Sequence, residues 1–192
     1  MSFFWIAVIA IALAVVLLFL ARDKIRGKAI PDALRPGQSL PLFTVTDEEG
    51  NPISSADLAG KPAVLLFVRG SWCPFCSKQV AGLTKNYKAI TDSGARLIFV
   101  TPKPLETTRR VADFFEVEFE FWLDESLGVA RQLGLVQSNG VPKDFRGEYG
   151  EDTMWPTSLV VDANGIIRLT ELSRFIADRP NPEKLLAAVN KL

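Results

Sequence analysis

The chain opens on an unbroken apolar run at residues 3–21 (FFWIAVIAIALAVVLLFLA) and only later settles into alternating apolar and polar stretches. Roughly 19 uncharged residues at about 1.5 Å each match a hydrocarbon core, so the run predicts a transmembrane helix. No Lys or Arg precedes it, and Ala21 leads straight into Arg22, which argues against a cleaved signal peptide. Residues 29–41 carry Pro31, Arg35-Pro36-Gly37 and Pro41 and read as an irregular linker. The expected organisation is a membrane anchor over 1–21, a linker over 22–41 and one domain over 42–192.

Within that domain the pattern alternates between strand and helix signatures. Residues 43–46 read as a strand, 49–52 (EGNP) as a turn, and Ser54, Ser55 and Asp57 as the start of a short helix. The run 63–68 (AVLLFV) is wholly apolar, as expected of a strand buried on both faces. From Pro74 onward, Cys76, Val80, Leu83, Tyr87 and Ile90 recur at spacings of three and four, one face of a helix. Further strands are predicted at 95–100, 119–123, 157–161 and 166–169, and helices at 105–115, 126–133 and 182–192. Asp162-Ala163-Asn164-Gly165 joins two of those strands as a hairpin turn. Strand–helix–strand units followed by a hairpin and a final helix predict an α/β sandwich around a mixed sheet.

Composition narrows the chemistry. Lys+Arg and Asp+Glu balance at 22 each, which leaves no electrostatic footprint for nucleic acid. There is no histidine, so the commonest general base and every Ser-His or Cys-His pair are excluded. Only two cysteines occur, and they sit three apart, too few and too close for a disulfide-stapled scaffold. Two thiolates without an imidazole also fall short of the four ligands of a structural zinc site. No metal or cofactor is expected.

The candidate site is Cys73-Pro74-Phe75-Cys76, which follows a buried strand through Arg69-Gly70-Ser71-Trp72 and opens a helix. A thiol at a helix N-terminus meets unpaired N–H groups and the positive end of the dipole, so its thiolate is favoured. Pro74 suits the first helical position because its missing N–H is not needed there. Cys73 is expected to attack and Cys76, one turn on, to resolve. Arg69 is the candidate for stabilising the thiolate. Trp72 either shields the thiol and contacts substrate or simply packs.

Residues 37–192 resemble the thioredoxin-like superfamily, and within it the redoxin branch of alkyl hydroperoxide reductase/thiol-specific antioxidant type, which includes peroxiredoxin-like proteins. The resemblance rests on residues 69–76 (RGSWCPFC), on Leu123-Asp124 before a short helix, and on residues 155–162 (WPTSLVVD) with 164–168 (NGIIR). It implies a thioredoxin-like fold, a central mixed β-sheet flanked by helices, here preceded by one transmembrane helix. It also implies that Pro156 is cis and faces the cysteines, with Trp155, Pro156 and Thr157 joining Trp72 and Pro74 in contacting substrate. Two departures bear on activity. The peroxiredoxin pattern Pro-x-x-x-Thr-x-x-Cys is absent: Gly70 precedes Cys73 by three, and Cys73 precedes Cys76 by three. The buried acid found six residues before the first cysteine of thioredoxin-like reductants is here Phe67.

The resulting expectation is a thiol–disulfide oxidoreductase that exchanges disulfides with protein thiols or disulfides and is recycled by a thiol redox partner. Its layout is similar to that of accessory proteins that mature extracytoplasmic enzymes. Two alternatives stay open, a thiol peroxidase and a membrane-tethered binding module without turnover. Membrane side is contested: Arg22, Lys24, Arg26 and Lys28 after the apolar run point to the cytoplasm, whereas disulfide chemistry points to the periplasmic side. Residues 137–152 form a polar, Gly-containing insertion that is either a substrate-contacting lid or a surface excursion. Lys103, Arg109 and Arg110 read as a solvated face.

Overall fold

The computed structural model describes residues 3–26, 28–103, 119–175 and 177–192. After the N-terminal helix α1 (Phe3–Arg26), the chain forms β1 (Thr44–Thr46), β2 (Pro52–Ser54), β3 (Ala63–Phe67), α2 (Pro74–Asp92), β4 (Arg96–Thr101) and β5 (Glu120–Leu123). There follow α3 (Gly128–Gln132), β6 (Val136–Gln137), α4 (Arg146–Tyr149), β7 (Thr153–Met154), β8 (Thr157–Val161), β9 (Ile167–Leu172) and α5 (Pro182–Val189).

Seven strands build one sheet in the order β2-β1-β5-β4-β3-β8-β9. The β3/β4 and β4/β5 pairs are parallel, while β3/β8, β8/β9 and β1/β5 are antiparallel, so the sheet is mixed as the pattern predicts. The apolar run of β3 lies near the centre, and the pleat divides its side chains. Val64 and Leu66 face a core shared with α2 and α5, through Val80, Leu83, Ile90, Leu185 and Val189. Leu65 and Phe67 face a second core with Trp122, Ala130, Leu135 and Leu159. Both cysteines belong to the α2 side.

Local chemistry explains the element boundaries. Ser54 accepts from the Ala56 amide while Asp57 accepts from the Ser54 amide, a reciprocal cap on the short 3₁₀ turn Ser55–Leu58. Asn181 caps α5 by accepting from the Glu183 amide. The hairpin turn works through Asp162, whose Oδ1 accepts from the amides of Asn164 and Ile166 at 2.9 Å each.

Four expectations change. Residues 52–54 are a strand rather than the end of a turn, because β1 supplies a partner in the register Val45↔Ile53. The short hairpin of β6 and β7 closes the 137–152 insertion at its base, and two-residue strands carry too little pattern to be seen in sequence. No peptide bond among the described residues is cis, so Pro156 is trans. The Trp155 amide donates to the Leu135 carbonyl and the Pro156 carbonyl accepts from the Ser173 amide, which makes the Trp155–Pro156 stretch an ordinary trans entry to β8. The expected transmembrane anchor is also overturned. Among the described residues no helix is long and apolar enough to cross a membrane. The membrane localisation expected from sequence, on either side, falls with it. The helix predicted at 105–115, with Arg109 and Arg110, lies outside the described residues.

Candidate active site

The site is assembled where β3 hands over to α2. Val68 continues β3 by donating to the Val100 carbonyl, and the chain then turns through Arg69–Trp72. Gly70 sits at φ +130°, a conformation that favours glycine. A Cβ at that position would lie 2.8 Å from Tyr149 Cε1 and 3.0 Å from Trp72 Nε1. Cys73 is the N-cap of α2 and Pro74 its first helical residue. The Cys73 carbonyl accepts from the amides of Cys76 and Ser77, which locks the pair in one helical turn.

Both thiols are free, and each residue is only 1% exposed. They are electrostatically unequal. The Cys76 thiol and amide both hydrogen-bond to Cys73, and Arg179 and Arg69 add positive charge. Together these outweigh burial and bring Cys73 down to about 5. Cys76 is driven up, because its proton is held by Cys73, it is buried, and it faces the Cys73 charge. The resting pair is therefore a Cys73 thiolate accepting from a Cys76 thiol. A thiolate that is already formed is the nucleophile of sulfur chemistry.

Two arginines serve the pair. Arg69, expected from sequence, is 2% exposed; its guanidinium lies 4.6 Å from the Trp72 ring centroid and its Nη2 donates to the Gly140 carbonyl at 2.6 Å. Burial draws this guanidinium below its ordinary value, and the negative charge at Cys73 and Cys76 opposes that shift. Arg179 was not singled out in the sequence. Its Nη2 donates to Cys73 Sγ at 3.4 Å and to Cys76 Sγ at 3.3 Å, and its Nη1 donates to the Asp178 carbonyl at 2.6 Å. It lies between Asp178 and Pro180 in an irregular stretch, where neither periodicity nor motif marks it.

The 137–152 insertion packs on the site. Phe145 stacks on Trp72, with ring centroids 6.2 Å apart and planes at 26°, and Tyr149 meets the same indole edge-on. The Tyr149 hydroxyl and Ser71 Oγ are 2.8 Å apart. Trp72 is thus held between Arg69 and the insertion. Trp155 points elsewhere: its indole N–H donates to the Ser173 carbonyl, and Ser173 Oγ accepts weakly from Arg179 Nη1 at 3.5 Å. Thr157 lies opposite Phe67 in the β3/β8 register, and its hydroxyl donates to the Trp155 carbonyl. Pro74 is exposed at the helix start. Among the described residues no cluster of His, Cys, Asp or Glu converges to hold a metal ion.

This arrangement offers one thiolate with a second thiol beside it. The chain is 28% identical over 169 residues to chloroplastic peroxiredoxin Q of Sedum lineare, covering 88% of this chain and 82% of the relative. It is 26% identical over 157 residues to chloroplastic peroxiredoxin Q of Populus jackii, covering 81% of this chain and 66% of that relative. The fold superimposes on the peroxidoxin BcpB of Mycobacterium tuberculosis with a TM-score of 0.65 at 19% identity, over 83% of this chain and 98% of the other. That likeness establishes a thioredoxin-like α/β fold. The family model described as AhpC/TSA matches residues 36–170, more than half of the sequence, and the chain therefore belongs to the AhpC/TSA family.

Proposed function

We propose that the chain is a thiol peroxidase that reduces hydroperoxides at the expense of thiols, with Cys73 attacking and Cys76 resolving. The observation that carries this reading is a preformed thiolate enclosed by protein: Cys73 and Cys76 are each 1% exposed, and Arg179 lies over both sulfurs. A protein disulfide must bring its own sulfur into line with the thiolate, which an enclosed sulfur resists. The two oxygens of a hydroperoxide ask for far less room. The relatives that bear the name peroxiredoxin support the same choice.

The steps balance with the residues present. The Cys73 thiolate attacks the terminal peroxide oxygen; the S–O bond forms, the O–O bond breaks, and the other oxygen leaves as an alkoxide or hydroxide that takes up a proton. The Arg179 guanidinium lies where it can hydrogen-bond to the developing negative charge. Cys76 then attacks the sulfenic acid at Cys73, releasing water and forming the Cys73–Cys76 disulfide. Two external thiols restore the dithiol and leave as their own disulfide.

A second reading, disulfide exchange with protein substrates, is favoured by one specific feature. The Thr of the Pro-x-x-x-Thr-x-x-Cys pattern is missing in either register, and a Cys-x-x-Cys pair opens the helix instead. One experiment separates the two readings. Reduced protein is mixed with hydrogen peroxide or cumene hydroperoxide, and sulfenic acid is trapped with dimedone. Cys76→Ser is expected to accumulate a dimedone adduct at Cys73, and Cys73→Ser to lose turnover. Absence of peroxide consumption and adduct, with insulin disulfides still reduced, would replace the first reading with the second. If neither reaction occurs, a binding module without turnover remains.

A further inference from the structure

The turn before Cys73 hides two N–H donors, the indole Nε1 of Trp72 and the Nε of Arg69, that have no hydrogen-bond partner among the described residues. Such a group gives up its hydrogen bond to water on folding and receives none in exchange. The two donors belong to neighbouring side chains. The Arg69 guanidinium lies 4.6 Å from the Trp72 ring centroid and faces the negative charge at Cys73. Trp72 packs against the core cluster that contains Cys73 and Cys76, yet as a whole it is only half-buried, so its N–H sits at the edge of the enclosure. Phe145 stacked on the ring and Tyr149 at its edge fix the indole in this place.

Glycine at position 70 keeps that N–H uncrowded. A Cβ there would lie 3.0 Å from Trp72 Nε1, so any side chain at residue 70 would press on it. Residue 70 is three before the first cysteine, where the peroxiredoxin pattern has Thr. The indole N–H therefore stands beside the point at which the missing side chain would begin.

We infer that the Trp72 indole N–H, with Arg69 Nε beside it, receives the peroxide oxygen that leaves when Cys73 attacks. The inference rests on the peroxidase reading of the site. As the S–O bond forms, the electron pair of the O–O bond departs on the outer oxygen. That oxygen accepts from the indole and the guanidinium and takes its proton from water. The indole donates a hydrogen bond and keeps its own proton. Both donors meet an oxygen whose negative charge grows toward the transition state, so they favour that state over the bound peroxide. Trp122 also carries an unpartnered indole N–H, but in the core on the other face of the sheet, and it serves as the control.

The test compares two electrophiles on the reduced full chain. Single-turnover oxidation by cumene hydroperoxide reads the peroxide step. Alkylation of Cys73 by iodoacetamide, whose departing iodide is a poor hydrogen-bond acceptor, reads the thiolate alone. Trp72→Phe removes the N–H and keeps an aromatic ring. It should slow oxidation by about tenfold and leave alkylation within about twofold. Replacing Trp72 by benzothienylalanine, which has sulfur in place of the N–H, preserves the shape. It should give the same selective loss with no fall in Tm, because an unmet donor has gone. Trp122→Phe should change neither rate. Equal loss of both rates in Trp72→Phe, or undiminished oxidation with benzothienylalanine, would overturn the inference and leave Trp72 as packing. If the unaltered chain is alkylated but not oxidised by hydroperoxide, the peroxidase reading fails, and the inference falls with it.

Discussion

The turn at 69–72 and the loop at 173–179 each deliver an arginine to the same two sulfurs, by opposite means. Arg69 arrives with its own strand–turn–helix unit, is fully buried, and is held by Trp72 and by the Gly140 carbonyl of the insertion. Arg179 arrives from beyond β9, about a hundred residues later, and is only half-buried. The loop around it is fastened by side chains. Ser173 Oγ donates to the Asp178 carbonyl at 2.6 Å, Asp178 Oδ2 accepts from the Arg174 amide at 2.8 Å, and the Trp155 indole donates to the Ser173 carbonyl. The turn is therefore positioned by backbone conformation and packing, and the loop by a short chain of hydrogen bonds. The first should fail in stability when disturbed, and the second in thiol reactivity.

The largest effect should come from the turn. Gly70→Ala forces a side chain into a positive-φ position and into the Tyr149 ring, at a cost of about 1–3 kcal/mol. Thermal unfolding should show a loss of several degrees; an unchanged Tm would mean that the turn and the insertion are looser than their contacts indicate.

Arg179→Met tests the loop. Removing the guanidinium should raise the Cys73 pKa, and because the thiol with its value of about 5 is almost fully ionised at pH 6, alkylation of Cys73 by iodoacetamide at that pH should slow by only about twofold if the value reaches about 6. The same variant sharpens a pH dependence. Cys73 has its folded value near 5, below the ordinary thiol value of 9.0, so the unfolded chain binds more protons between these limits. Stability of the dithiol form should accordingly rise with pH from about 5 to about 9 and be lost as pH falls back through that window. Cys76, shifted up, works against stability only above about 9. Denaturant titrations should show a smaller total rise, starting at higher pH, for Arg179→Met and no Cys-linked rise for the disulfide form.

The smallest effect separates the two regions most finely. Ser173→Ala removes the hydroxyl between Asp178 and Arg179, worth about 1 kcal/mol or less. Alkylation should slow by less than about twofold, with little change in Tm. A large loss of Tm with unaltered reactivity would reverse the contrast drawn here.

Much of the sheet was legible because its signal is local. The apolar run 63–68, the three-and-four spacing from Cys76 to Ile90, and the Asp162–Gly165 turn each carry their own instruction. All three appear in the structure as β3, α2 and the β8–β9 hairpin. The Cys-Pro-Phe-Cys turn was equally readable, since Pro74 and the N-cap position of Cys73 are short-range facts. The Pro156 geometry was misread because the resemblance supplied a cis bond, whereas the local bonds of Trp155 and Pro156 suit a trans one. Residues 3–21 were misread as a membrane anchor because hydropathy alone was extended to the whole run.

What the sequence determined by itself was the existence of a Cys-x-x-Cys pair at a strand-to-helix turn, the mixed α/β layout around it, and the exclusion of histidine-based chemistry. These follow from residue types and spacings within one or two elements. Tertiary structure alone decided that the pair is enclosed, that the 137–152 insertion stacks Phe145 on Trp72 and sets Tyr149 edge-on to it, and that Arg179 donates to both sulfurs. The reason is physical. A thiolate is stabilised by charge and hydrogen bonds acting over a few ångströms, and which residues come that close depends on how distant segments close over the sheet, a matter on which local periodicity is silent.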